Sequence, residues 1–188
     1  RGHRFISLRL FEQAVDDLEK AGQLIEGKPD EIEPDGLPNE RNKPTSSLHF
    51  NIWYHLGLAY YLVGDYESAL QAYQECLKVS KIHERLVSTS HWTFMTLRTL
   101  EREEEAKEIL DAITEDMDVI ENQHYYQLLL MYKGLLTPED LITKARAQGP
   151  LAIATVGYGV GNWYMNNGED NKAKEIYEEI LKTGGWAG

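Results

Sequence analysis

A pattern of aromatic and small residues occurs twice in this chain, 104 positions apart, and it constrains the fold more than any other feature. In the first copy, apolar residues recur at the spacing of one helix face on either side of the pair Gly64-Asp65. Because glycine followed by aspartate interrupts a helix, each copy predicts two helices joined by a short turn. The residues of the first copy are Trp53, Leu56, Gly57, Tyr60, Ala69 and Tyr73, and the last four of them recur in the second copy as Gly161, Tyr164, Ala173 and Tyr177.

The first copy resembles the tetratricopeptide-repeat family. It follows the family pattern of Trp, Leu-Gly, Tyr, Ala and Phe, with Tyr73 in place of the phenylalanine. The resemblance implies an all-α fold, a right-handed superhelix (solenoid) of about four to five helical hairpins, in which the first helices line a concave groove. Gly57 and Ala69 are expected where two helices approach closely, since a larger side chain there would push them apart.

The distance between the two copies predicts how the rest of the chain is organised. Because 104 residues are about three periods of 34 plus 2, two further hairpins are expected between the copies. A segment with four prolines and two glycines interrupts the chain before the first copy, which favours a loop. The prediction is a single domain over 1–188, with a partial repeat at 1–26, an inserted loop at 27–47, the best-matching repeat at 48–81, a divergent repeat at 85–114, an atypical repeat at 121–148 and a C-terminal repeat at 151–183.

Composition argues against several classes of function. The 31 acidic and 19 basic residues give a net charge of -12, and the basic residues do not cluster, so no nucleic acid is expected as a partner. No apolar run is long enough for membrane insertion. The single cysteine, Cys76, excludes an intrachain disulfide and is expected to be a buried thiol. The chain begins at Arg1, so a leader could have been removed, and the cytoplasm, the bacterial periplasm and secretion are all compatible with it.

The groove of the predicted superhelix is where a partner is expected. Aromatic and amide side chains off the packing stripe of the first helices suit a peptide, because they combine contact area with polar tips. Packing between neighbouring helices is the competing interpretation for each of them. The carboxylate clamp of some family members is not expected, since its Lys and Asn positions carry other residue types here. The candidate groove residues are Asn51, Tyr54, His55, Leu58, Tyr61, His91, Met95, Arg98, Tyr158, Asn162 and Met165.

A protein- or peptide-binding scaffold is therefore the leading hypothesis for the function. A sensor for a small molecule or glycan is the alternative, and self-association through the ends of the array, where Trp186 lies, is a third hypothesis. Catalysis is not expected, and neither a cofactor nor a metal is predicted. Gly157, Gly159 and Gly161 lack the strand that a dinucleotide fingerprint requires, and the Asp35-Gly36 pair does not match calcium-loop spacing, so a solvated linker is expected there.

Overall fold

The structure is a computed structural model that describes residues 1–33 and 39–184. In these residues the chain forms ten α-helices, and its extended backbone is limited to an isolated bridge between Ile32 and Ser47. The all-α prediction is confirmed. The helices are α1 (Gly2–Ser7), α2 (Phe11–Ile25), α3 (Leu48–Val63), α4 (Tyr66–Val79), α5 (His83–Thr99), α6 (Glu103–Leu110), α7 (Gln123–Tyr132), α8 (Pro138–Gln148), α9 (Pro150–Asn166) and α10 (Asp170–Thr183).

The ten helices pair in chain order into five hairpins that stack as a solenoid. The second helix of one hairpin packs on the first helix of the next, as α2 does on α3, α4 on α5 and α8 on α9. The first helices also contact one another along the array, from α3 to α5, α5 to α7 and α7 to α9. None of the described helices combines the length and apolar character needed to cross a membrane.

The turn between α3 and α4 follows from its two residues. Gly64 ends α3 with a φ of 85°, in the left-handed region where a side chain is strained. Asp65 then caps α4, because its carboxylate accepts a hydrogen bond from the Ser68 amide at 3.1 Å. The helix break predicted at Gly64-Asp65 is therefore the turn that connects α3 and α4.

A glycine sets the separation of the two helices in each copy of the pattern. A Cβ atom on Gly57 would lie 2.5 Å from the ring of Tyr73, and one on Gly161 would lie 2.5 Å from the ring of Tyr177. Real Cβ atoms do not approach a ring so closely, so only glycine admits this packing. The two copies therefore repeat the same close contact as well as the same residue types.

Most residues in the described ends of the inserted loop are exposed, and a few of them make hydrogen bonds to helices. The carboxylate of Asp30 accepts hydrogen bonds from the Ser47 hydroxyl at 2.7 Å and from the His49 amide at 2.9 Å, which caps α3. Arg85 on α5 donates to the Thr45 carbonyl at 2.9 Å. The Asp35-Gly36 pair and Trp186 lie outside the described residues.

Replacement of Gly57 by alanine should destabilise the fold. The added methyl group would overlap the Tyr73 ring, at a cost of about 1–3 kcal/mol that exceeds the helix-propensity gain of about 1 kcal/mol. Urea unfolding followed by circular dichroism measures the change, and Gly161→Ala should behave alike. The matched control is Gly157→Ala, where the new Cβ would lie 3.1–3.2 Å from the side chains of Ile180 and Ile176, a less severe contact, so the free energy of unfolding should fall less than in Gly57→Ala. Equal effects at Gly57 and Gly157 would contradict the assignment.

Candidate functional site

The candidate groove residues occupy three different places on the inner side of the array. The first is a buried aromatic cluster between the first helices, which contains Tyr54, Tyr61, Tyr73, His91, Trp92, Tyr125 and Tyr132, with Leu58 and Met95 packed beside it. The second is an N-terminal cleft, which Asn51 and His55 line. The third is an exposed face of α9 that carries Tyr158 and Met165.

The aromatic cluster fills the middle of the expected groove. The ring of His91 stacks on Tyr125 at 4.6 Å between centroids, and Trp92 meets Tyr61 edge-on at 5.3 Å. The hydroxyls of Tyr61 on α3 and Tyr158 on α9 are 3.5 Å apart, so the array curls until its second and fifth hairpins touch.

This curvature corrects the prediction that His91 and Met95 face an open groove. Their exposed fractions are 1% and 2%, because α5 contacts α7 and also α9, which lies two hairpins further along the chain. A partner could reach these side chains only if the first helices separated. His91 and Met95 therefore pack between helices, which is the competing interpretation given for the groove residues.

Burial keeps the side chains of the aromatic cluster uncharged. Desolvation lowers the pKa of His91 to about 3 and raises the pKa of Tyr54, Tyr73 and Tyr132 well above the ordinary value for tyrosine. A histidine with so low a pKa is a weak general base at neutral pH, because proton uptake by its ring is unfavourable. The cluster therefore has the electrostatic character of a core.

The N-terminal cleft is an open depression of about 610 Å³ between α1, α2 and α3. Its apolar side chains include Leu18, Leu24 and Ile52, and Leu24 is 57% exposed. Polar and charged side chains surround this apolar surface, where Arg1 and Asp17 form an ion pair. The polar lining residues are Arg1, His3, Asp17, Lys20, Glu33, Asn51 and His55.

His55 presents a hydrogen-bond acceptor to this cleft. Its Nδ1 atom is 2.7 Å from the backbone carbonyl of Asn51, so Nδ1 carries the proton and Nε2 is left with a lone pair. Burial, reinforced by the neighbouring His3 ring at 4.3 Å, lowers the pKa of His55 to about 4. His55 is therefore neutral at physiological pH.

Asn51 supplies a second acceptor one helical turn before His55. Its side-chain NH₂ donates to the carboxylate of Glu33, at the end of the described loop segment, and this fixes the orientation of the amide. The amide oxygen of Asn51 then has no hydrogen-bond donor among the described residues. His3 and Glu33 are not among the predicted groove residues, because the partial first repeat and the loop give no periodic signal.

The exposed face of α9 lies at the other end of the array. Leu151, Tyr158 and Met165 follow one another at intervals of seven residues, with exposed fractions of 59%, 36% and 48%. Asn162 is buried, and its side chain donates to the carbonyl of Tyr158 at 2.9 Å. Arg98 is held too, since it donates to the Asn166 carbonyl at the end of α9, at 2.9 Å. The side chains of Asn162 and Arg98, both predicted to contact a partner, therefore make their hydrogen bonds within the fold.

A family model supports the interpretation of the sequence pattern. The model of the tetratricopeptide repeat matches residues 50–81, which cover most of α3, all of α4 and the turn between them. The resemblance of the segment from Trp53 to Tyr73 to this repeat is confirmed. Tetratricopeptide repeats are in general non-enzymatic scaffolds for protein interaction. Comparisons with curated proteins and with solved structures found no match to this chain.

Acid should destabilise the fold through His91. Its pKa is about 3 in the folded state and about 6.5 when unfolded, so the unfolded state binds more protons below pH 6.5. This group should lower the free energy of unfolding by about 1.4 kcal/mol per pH unit between pH 6.5 and 3. Urea unfolding at pH 7, 6 and 5 measures how the free energy of unfolding changes with pH. This slope should be smaller in His91→Phe, because the variant lacks the group that takes up the proton. Identical slopes in the two proteins would show that His91 is hydrated in the folded state.

Proposed function

We propose that this tetratricopeptide-repeat protein is a scaffold that binds an extended peptide segment of another protein in the N-terminal cleft. The observation that carries the proposal is the pair of acceptors, the amide oxygen of Asn51 and Nε2 of His55, beside an apolar surface. Both side chains project from α3, and their spacing of four residues places them on one face of the helix.

The spacing of these acceptors suits a peptide backbone. Side chains four residues apart on a helix lie about 5–6 Å from each other. An extended chain presents alternate N–H groups on one side at intervals of about 6.6 Å, twice its rise per residue. Two backbone N–H groups of one peptide can therefore reach Asn51 and His55 together, while a side chain between them contacts the apolar part of the cleft.

The charge of the chain favours a particular class of peptide. The net charge of -12 attracts basic segments at long range, and the carboxylate of Glu33 lies at the cleft. Arg1 and Asp17 form an ion pair, and Lys20 is a further cation of the lining. The segment that fits best has an apolar anchor residue, packed against Leu24 and Ile52, next to a Lys or Arg that meets Glu33.

A small molecule or glycan is the second candidate for this cleft. Its volume of about 610 Å³ lies within the range of small-ligand sites, about 300–1,000 Å³. The exposure of Leu24 favours a peptide, because a small ligand that contacts this side chain would leave much of its own surface in water.

Loss of either acceptor should weaken peptide binding. A fluorescently labelled library of eight-residue peptides, screened by polarisation, would first select the best binder of the wild type. Asn51→Leu and His55→Leu should each weaken that peptide roughly 5- to 100-fold, since an unsatisfied buried N–H costs about 1–3 kcal/mol. Binding should also fall as the pH approaches 4, where His55 gains a proton and loses its acceptor.

The matched control is Asn171→Leu, the same change at an exposed position of α10 far along the array. It should bind the selected peptide as the wild type does. Equal affinities of the wild type, Asn51→Leu and His55→Leu would overturn the placement of the site. Stabilisation by a metabolite in a thermal-shift screen, together with no peptide hit, would support the second candidate instead.

A further inference from the structure

A second open depression lies between α2, α3 and α4. Its larger part has a volume of about 650 Å³ and is lined mostly by α2 and α3. Trp53, Leu56 and Glu75 also line a smaller part of about 340 Å³, which reaches Tyr60. We call the two parts together the Trp53 groove. It shares no lining residue with the N-terminal cleft, so it is a separate candidate site.

The indole ring of Trp53 is common to both parts of the groove. A Cβ atom on Gly22 would be 3.0 Å from this ring, so the absence of a side chain at Gly22 lets the indole pack close to the backbone of α2. The ring is nevertheless only partly buried. Because the face of an indole attracts cations and its surface is apolar, Trp53 suits a ligand that has both an alkyl chain and a positive charge.

Two carboxylates along the groove have no cationic partner. Glu19 accepts a hydrogen bond from the neutral hydroxyl of Tyr60, and the carboxylate of Glu26 has neither an ion pair nor a hydrogen bond among the described residues. Glu75 is different, because Lys78 pairs with it at 2.5 Å. Neither Lys nor Arg is among the described residues that line the groove. Because Glu19 and Glu26 are seven residues apart, the groove has two sites of negative charge at positions about 10 Å apart along α2.

The last hairpin places a cation of its own at the equivalent position. Tyr164 is the counterpart of Tyr60, and its hydroxyl donates to Glu139 of the preceding hairpin at 2.7 Å, as Tyr60 donates to a glutamate of the hairpin before it. The ammonium group of Lys172 lies 4.8 Å from the centroid of the Tyr164 ring. The counterpart of Lys172, 104 residues earlier, is Ser68, which lines the groove. The same pair of tyrosine and glutamate therefore meets an internal cation in one hairpin and an open groove in the other.

We propose that the Trp53 groove binds a small alkyl diamine, a chain with an ammonium group at each end. One ammonium group lies over Tyr60 beside Glu19, in the place that a lysine occupies in the last hairpin, and the other pairs with Glu26. The alkyl chain between them packs on Trp53 and Leu56, which removes apolar surface of both from water.

The number of carboxylates favours a diamine over the lysine side chain of a partner protein. One lysine brings a single ammonium group and would leave one of the two carboxylates unpaired, whereas a diamine can pair with both. The volume of the larger part, about 650 Å³, also lies within the range of small-ligand sites, about 300–1,000 Å³.

Isothermal titration calorimetry with diaminohexane as the probe tests this proposal. The wild type should bind it with a dissociation constant below about 1 mM at low salt, and binding should weaken as NaCl rises to about 500 mM and screens the charges. Hexanediol, the uncharged analogue, should not bind. Glu19→Gln together with Glu26→Gln should weaken binding roughly 3- to 30-fold, the combined range of two exposed ion pairs. The matched control Glu108→Gln, at an exposed position of α6, should bind as the wild type does.

Three results of this titration would overturn the proposal. They are the absence of diaminohexane binding, equal affinity for hexanediol, and unchanged affinity in the double variant. Tighter binding of acetyl-lysine methylamide than of diaminohexane would also contradict the assignment, because it would point to a lysine of a partner protein.

Ser68→Lys tests the comparison with the last hairpin. The new ammonium group should lie over Tyr60, because Asp65 stands at the position of Glu169, which pairs with the lysine of the last hairpin at 2.5 Å. A tethered cation competes at a high effective concentration, so the affinity for diaminohexane should fall at least about 10-fold. The matched control Asn171→Lys adds the same charge at an exposed position of α10 and should bind as the wild type does. With both variants shown to be folded by urea unfolding, equal affinities would overturn the proposal.

This site and the N-terminal cleft can fail separately. Asn51→Leu should bind diaminohexane as the wild type does although it weakens the peptide, because the groove and the cleft have no residue in common. Ser68→Lys should in turn bind the selected peptide as Asn171→Lys does. A parallel loss of both ligands in Asn51→Leu would contradict two separate sites.

Discussion

The structure depends on the contact between a glycine and a tyrosine ring at the centre of each well-matched hairpin. Because Gly57 has no side chain, the ring of Tyr73 lies directly against the backbone of α3, and this contact sets the distance between α3 and α4. Tyr73 is then fully buried, and its ring lies edge-on to Tyr54, the first member of the aromatic cluster. The packing of one hairpin thus determines where the cluster begins.

The aromatic cluster in turn decides which parts of the inner surface are open to a partner. Tyr61, Trp92 and Tyr158 come from three different hairpins, and their contacts close the middle of the expected groove. Large flat rings bury much area and stack without charge, so a tight curl is stabilised by the same residue types that suggested a binding groove. The N-terminal cleft lies outside this cluster and remains open.

The sequence predicted the hairpins well because their determinants are local. Gly64-Asp65 marks the turn, and the pair of Gly57 and Tyr73 repeats at a fixed distance, so period and composition suffice. The exposure of the groove residues could not be predicted in this way, because the 3.5 Å approach of Tyr61 and Tyr158 joins residues 97 positions apart. The hydrogen bonds of the inserted loop could not be predicted either, because Ser47 and His49 become partners of Asp30 only where the loop returns to α3.

The chemistry of the N-terminal cleft differs from that of the closed aromatic cluster, and this difference explains why the proposed role falls to the cleft. The N-terminal cleft combines hydrogen-bond acceptors and charged side chains with an apolar surface, which suits a directional contact with a polar backbone. The aromatic cluster offers no such surface, because His91 within it is 1% exposed and burial lowers the pKa of this ring to about 3.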